Sequence, residues 1–116
     1  MFSFGLRLPW ALTATAGSNR LRIWDGYVVV GQNELGHLNN GQALRLKHHY
    51  DKTTGIHRLA VLHQRQLVGH LPLPDAQKLA EHCLNKRKLY ARVLWKQEQA
   101  LPWEKLYIRI SADFEN

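Results

Sequence analysis

Six short runs of alternating or apolar residues, set apart by glycine- and proline-bearing turns at hairpin spacing, together with one stretch of helical spacing, predict a mainly β domain. The expected architecture is a small antiparallel six-stranded barrel, SH3-like or OB-like, with one clear helix at about residues 75–85 and space for a second short one. Composition agrees: 116 residues, 45% hydrophobic and 22% charged, suffice for one core and not for two domains. Residues 1–18 are expected to be a leader, poorly ordered or packed on the barrel, and 19–116 the single domain.

The leader Met1 to Gly17 is apolar and ends in Ala14-Thr15-Ala16, a small-x-small form that signal peptidase accepts. It has no basic n-region, and Arg7 and Pro9 interrupt the apolar run, so export through residues 1–16 is disfavoured and a cytoplasmic location is expected. No other stretch approaches the roughly 18 apolar residues of a spanning helix, which argues against an integral membrane role.

From Asn19 the pattern is one of strands. Leu21 and Ile23, then Tyr27 to Val30, read as two short β runs separated by a turn or bulge at Asp25-Gly26. Gly31 to Gly41 carries three glycines and three asparagines, a loop wide enough to carry function. Gln42 to His48 alternates, with Leu44, Leu46 and His48 inward and Arg45 and Lys47 outward; Asp51 to Gly55 is the next turn. His57 to His63 sets Leu59 and Val61 inward, and Gln64-Arg65 reverses the chain into Leu67 to Leu71.

Around Leu73-Pro74-Asp75-Ala76 the prolines forbid a continuing ladder, and the Asp75 carboxylate is placed to cap a helix that starts at about that residue. Ala76, Leu79, Ala80 and Cys83 form its apolar stripe, with Gln77, Lys78, Glu81 and His82 on the other side. Lys88 to Lys96 then alternates Leu89, Ala91, Val93 and Trp95 inward. The last strand, Trp103 to Ile110, does the same with Leu106, Ile108 and Ile110. Trp95 and Trp103 are expected to pack rather than to offer stacking platforms.

Sixteen Lys and Arg against nine Asp and Glu give a charge of +7, which attracts polyanions before any specific contact forms. Arg45 and Lys47 on one strand, Arg58 on its expected neighbour, and Tyr50 and Lys52 at the turn between them suit a sheet face on which bases stack while cations follow phosphates. Lys86-Arg87-Lys88 either complements the helix dipole or forms a second patch.

Other chemistries find little. His48 and His49 are adjacent and point to opposite faces of a strand, and no Cys-x-x-Cys or His-x-x-x-His spacing exists, so no metal or other cofactor is expected. One cysteine, Cys83, on a helix stripe, three serines (Ser3, Ser18, Ser111), and no nucleophile elbow or phosphate loop argue against an enzyme.

Val29-Val30-Gly31, the Gly-rich loop, Gly41-Gln42-Ala43-Leu44-Arg45-Leu46, Leu59-Ala60-Val61, Val68-Gly69-His70-Leu71-Pro72 and Pro102-Trp103-Glu104 follow one another in an order that resembles the HIRAN domain family. The resemblance covers roughly Leu21 to Ile110. It implies a small β-barrel, found alone in bacteria or fused to helicases. In a helicase-fused member of the family that barrel binds single-stranded DNA at a free 3′ end, through stacking rings, basic contacts to phosphate and an acidic side chain on the 3′ hydroxyl. His70 matches a family position that is commonly Tyr or His. The family's Asn-Pro-x-Asp segment is replaced here: a gapless count puts Thr54 and Gly55 at its aromatic and Asp positions, whereas a shifted register supplies Tyr50-Asp51.

The functional expectation is therefore a non-catalytic module for single-stranded or damaged DNA, including 3′ ends, in repair or replication-fork processing. Its expected binding residues are Arg45, Lys47, Tyr50, Asp51, Lys52, Arg58 and His70. The expectation includes a monomer, no membrane contact, and a helicase or nuclease as the kind of protein partner. The alternative is a protein-interaction barrel whose charge is incidental.

Overall fold

Alternating apolar side chains give each strand one face that must leave water, and closing the sheet on itself buries all of those faces at once. The computed structural model describes residues 20–30 and 35–113 and shows that solution: a closed six-stranded antiparallel barrel with one α-helix among the described residues. In chain order the elements are β1 (Arg20–Val30), β2 (Ala43–Asp51), β3 (Ile56–His63), β4 (Gln66–His70), α1 (Leu73–Leu84), β5 (Leu89–Lys96), a 3-10 turn (Pro102–Glu104) and β6 (Leu106–Asp113). Around the barrel the order is β1-β4-β3-β2-β5-β6, and β6 returns to β1.

Two strands turn the corners. β1 pairs with β6 from Arg20 to Val28 and with β4 only through Val29 and Val30. β2 pairs with β5 only through Ala43 and Leu44, then with β3 from Arg45 to Asp51. At the first corner Gly69 is required, because a Cβ there would collide with the Val29 carbonyl oxygen and sit 2.8 Å from Val28 Cγ1.

Inward residues follow the expected alternation on most strands. Leu59, Val61, Leu106, Ile108 and Ile110 have no solvent exposure, and Ala76, Leu79 and Ala80 of α1 are buried as well, with the helix lying across β3. Each large side chain so buried contributes about 1.5 to 3 kcal/mol of transfer free energy.

Several local expectations change. Asp25-Gly26 is not a turn, because β1 runs through it and its irregularity lies earlier, between Arg22 and Trp24. Gly26 instead makes room for the Trp24 indole, which occupies the place of a Cβ. The loop after β1 spends its described part on the core, where Leu35 is 2% exposed and Leu38 is fully buried. Its Gln32 to Glu34 segment and the leader at 1–18 lie outside the described residues.

The helix begins two residues before Asp75. Pro72 is its N-cap with no side-chain cap, and Asp75 sits in the first turn, where its charge opposes the dipole. At the other end Lys86 N–H donates to the Cys83 carbonyl and Arg87 N–H to that of His82, both at 3.0 Å, with Lys86 at φ 59°. That is a Schellman ending with lysine at the position usually held by glycine.

Trp95 is expected inward and lies outward. A bulge between Val93 and Trp95 shifts the phase of β5, so the indole stacks on Tyr107 at 4.1 Å and 12°, with Tyr27 edge-on to Tyr107 at 4.8 Å. Trp103, in the 3-10 turn, is 55% exposed rather than packed.

Candidate nucleic-acid interface

Antiparallel partners place their side chains on the same face, so the register assigns the outer surface directly. Lys47 pairs with Ala60, Ala60 with His70, and His70 with Val29, one outer row that crosses four strands. Arg45 pairs with Leu62, and Leu62 with Leu67, in the adjacent row; His49 faces Arg58 in the third. Arg45, Lys47, Arg58 and His70, four of the expected residues, therefore share the outer face of β2-β3-β4, and all four are exposed.

Cations line one edge of that face, while its interior is apolar. Ala60 and Val29 are the register partners of His70, and Leu62 and Leu67 pair in the adjacent row; Leu67 is 44% exposed and Val29 43%. Ala60, the smallest side chain of the row, stands between Lys47 and His70. A flat ring can lie on such a strip while its phosphate meets the β2 edge.

The other expected residues stand elsewhere. Tyr50 has the opposite parity: it pairs with His57 and packs its ring on that imidazole at 4.5 Å. Asp51 and Lys52 sit at the hairpin tip, where Asp51 Oδ1 accepts from Thr53 N–H at 2.9 Å. That hydrogen bond is the main reason the Asp51 carboxyl titrates below the ordinary range. Thr54 and Gly55 belong to the same turn, with Gly55 N–H donating to the Asp51 carbonyl. Neither register of the resemblance thus brings a ring and a free carboxylate onto the face with Arg45 and Lys47.

Behind Tyr50, His48 Nε2 and His57 Nδ1 are 2.9 Å apart, so one ring donates to the other and both cannot be fully protonated. Burial first, then the nearby His57 and His49, holds His48 below the ordinary imidazole range. His57 N–H donates to Gln77 Oε1, which ties the start of β3 to α1.

Next to the outer face the barrel opens into a cavity of about 660 Å³. It lies where β2 and β5 part beyond Leu44, with the C-terminal end of α1 on its third side. Arg45 borders both the face and the cavity; Arg20, Arg87, Lys88, Arg92 and Arg109 line the cavity as well. Asp25 holds Arg109 by a fork of two bonds, 2.9 and 3.1 Å, and that hydrogen-bonded pairing holds the Asp25 carboxyl below its ordinary range. Tyr90 carries the Arg20 guanidinium on its ring at 3.5 Å and donates from its hydroxyl to Asp113 at 3.1 Å. Cys83 also lines the cavity, but burial pushes its thiol up, away from the thiolate a nucleophile needs.

From the sequence, Lys86-Arg87-Lys88 either complements the helix dipole or forms a patch, and nothing there points to their neighbours at the cavity. Arg92 and Arg109 appear there as ordinary outward residues of two strands, and only their pairing across β5 and β6 reveals a cluster. Among the described residues no group of three or more His, Cys, Asp or Glu could hold a metal ion, and no helix is long and apolar enough to cross a membrane. No family model, curated protein or solved structure matches the chain.

Proposed function

We propose that this chain is a non-catalytic nucleic-acid-binding module of the HIRAN kind, which holds single-stranded or damaged DNA along the outer face of β2-β3-β4. The observation that carries this reading is the row Lys47, Ala60, His70, Val29, in which a cation at one edge adjoins an imidazole and an apolar floor across four strands. Bases pack on the floor, phosphates follow Arg45, Lys47 and Arg58, and the net charge of +7 speeds encounter. Repair or replication-fork processing is the setting in which such strands arise.

The test is an NMR titration with short single strands that carry a free or a phosphate-blocked 3′ end. Shifts should centre on Lys47, Ala60 and His70, and log affinity should fall linearly with log salt at about −0.7 for each phosphate neutralised. Free and blocked 3′ ends should bind alike, and Asp51→Ala should change neither, because Asp51 serves its own turn and Tyr50 faces the other way. No binding to any single strand at low salt would reject the reading in favour of a protein-interaction barrel.

A further inference from the structure

We propose that the cavity between β2, β5 and the end of α1 binds a nucleotide phosphomonoester, carried by a free nucleotide or by the end of a strand. The strand-end form rests on the function proposed above; the free-nucleotide form does not.

The shape comes from the short β2–β5 seam. With only Ala43 and Leu44 paired to Arg92 and Ala91, the two strands diverge and leave about 660 Å³, a volume typical of small-molecule sites. The floor is apolar, made by the core side chains of Leu44, Leu46, Leu59 and Leu89, and the Tyr90 ring is held beside it by Asp113 and Arg20. A planar base suits that floor.

The rim chooses the charge. Arg45, Arg87, Lys88 and Arg92 are exposed residues of the lining, and no Asp or Glu is among the described residues that line the cavity. Among the described residues none of these four forms an ion pair: Asp25 is shared by Arg109 and Arg22, and Asp113, near Lys88 by register, accepts from the Tyr90 hydroxyl. Four like charges around one concavity repel, and an anion inside offsets that repulsion. An internal phosphodiester carries a single charge, whereas a terminal phosphate carries about −1.5 to −2 and presents three acceptor oxygens to guanidinium forks. The rim matches the second.

The Schellman ending of α1 fixes the backbone of Arg87, and the β2–β5 seam fixes Arg92, so their side chains start from rigid elements rather than from a free loop. Arg45 joins this rim to the strand-binding face, so a strand lying on the face has its end within reach of the cavity.

Titrations of the full chain with adenosine monophosphate, adenosine and inorganic phosphate test the site, read by calorimetry and by amide shifts at Ala43, Leu89 and Ala91. The monophosphate should shift these amides and bind at least about tenfold more tightly than either adenosine or phosphate alone. Arg87→Glu with Arg92→Glu should remove that binding at unchanged melting temperature, whereas Lys47→Glu with Arg58→Glu should leave it intact. If the double reversal does not fold, Arg87→Gln alone, in the exposed helix-end loop, should still lower affinity several-fold. Short thymidine strands with a 5′-terminal phosphate that bind more tightly than unphosphorylated ones, with shifts at the same amides, identify a strand end as the source; binding of adenosine 5′-monophosphate without that gain identifies a free nucleotide. Phosphate binding as tightly as the nucleotide, or shifts confined to the Lys47 face, would overturn the proposal. Loss of strand binding with adenosine monophosphate binding retained would overturn only the outer-face reading.

Discussion

On the outer face of β2-β3-β4 the cations stand apart, spaced by the pleat of their own strands; around the neighbouring cavity they converge from a helix end and two strands of the barrel. Arg45 and Lys47 are two residues apart on one strand, and Arg58 is on the next. Arg87, Lys88 and Arg92 follow α1 and meet Arg45 only because the barrel closes. The first region is a display of separate charges beside an apolar strip and suits a chain of evenly spaced phosphates. The second concentrates charge with no carboxylate among its described lining residues and suits one dense anion. On the two proposals, surface charge of similar sign would acquire different selectivity from how it is arranged.

The largest expected effect tests the first region. Arg45→Glu with Lys47→Glu removes two charged contacts at about 1.5 to 3 kcal/mol each, so affinity for single strands should fall by more than about a hundredfold. The fold should be unaffected, since both side chains are exposed. Reversal of Lys105, outside both regions, should leave most of the affinity; an equal loss there would reduce the comparison to net charge.

Next comes the seam that joins the outer face to β1. Gly69→Val forces a side chain against the Val29 carbonyl and Val28, and should destabilise the protein by about 1 to 3 kcal/mol in denaturant unfolding. Strand binding should weaken with it, because His70 and Val29 lose their register. An unchanged midpoint would show that β4 does not need its contact with β1.

Two pH-sensitive groups stand on the cavity side. Asp25 has a folded pKa below its unfolded value, so its pairing with Arg109 stabilises the protein above the ordinary carboxyl range and is lost as pH falls through the lowered folded value. Asp25→Asn should cost up to about 1 kcal/mol at neutral pH and flatten the acid limb of the stability profile. His48 is also depressed, from 6.5; folding favours its neutral form, so its contribution is present above 6.5 and is lost on acidification through the lower folded value. His48→Gln should remove that part of the slope, measured as melting temperature against pH.

The smallest expected effect is a gain. Lys86 holds the left-handed position of the Schellman ending at φ 59°, and Lys86→Gly should stabilise the protein by about 0.5 to 1 kcal/mol. Since Arg87 keeps its hydrogen bond to His82, nucleotide binding at the cavity should not change.

Sequence by itself determined the elements whose information is local. The alternation of Leu59 and Val61, of Leu106, Ile108 and Ile110, and the stripe of Ala76, Leu79 and Ala80 each record one face that must leave water, so strand and helix identity, barrel class and inward residues were legible. The outward positions of Arg45, Lys47 and Arg58 followed from the same period. Tertiary structure decided whatever depends on a partner strand. The bulge that turns Trp95 out is a mismatch between β5 and β6, and neither strand contains it alone. Trp24 lies over Gly26 because β1 stays paired with β6 through a dipeptide that reads as a turn. Tyr50 parts from Lys47 because parity, not nearness in sequence, assigns a face. The cavity rim exists only once β2 and β5 meet at two residues and then separate, since side-chain convergence is a property of closure and leaves no periodic mark in the chain.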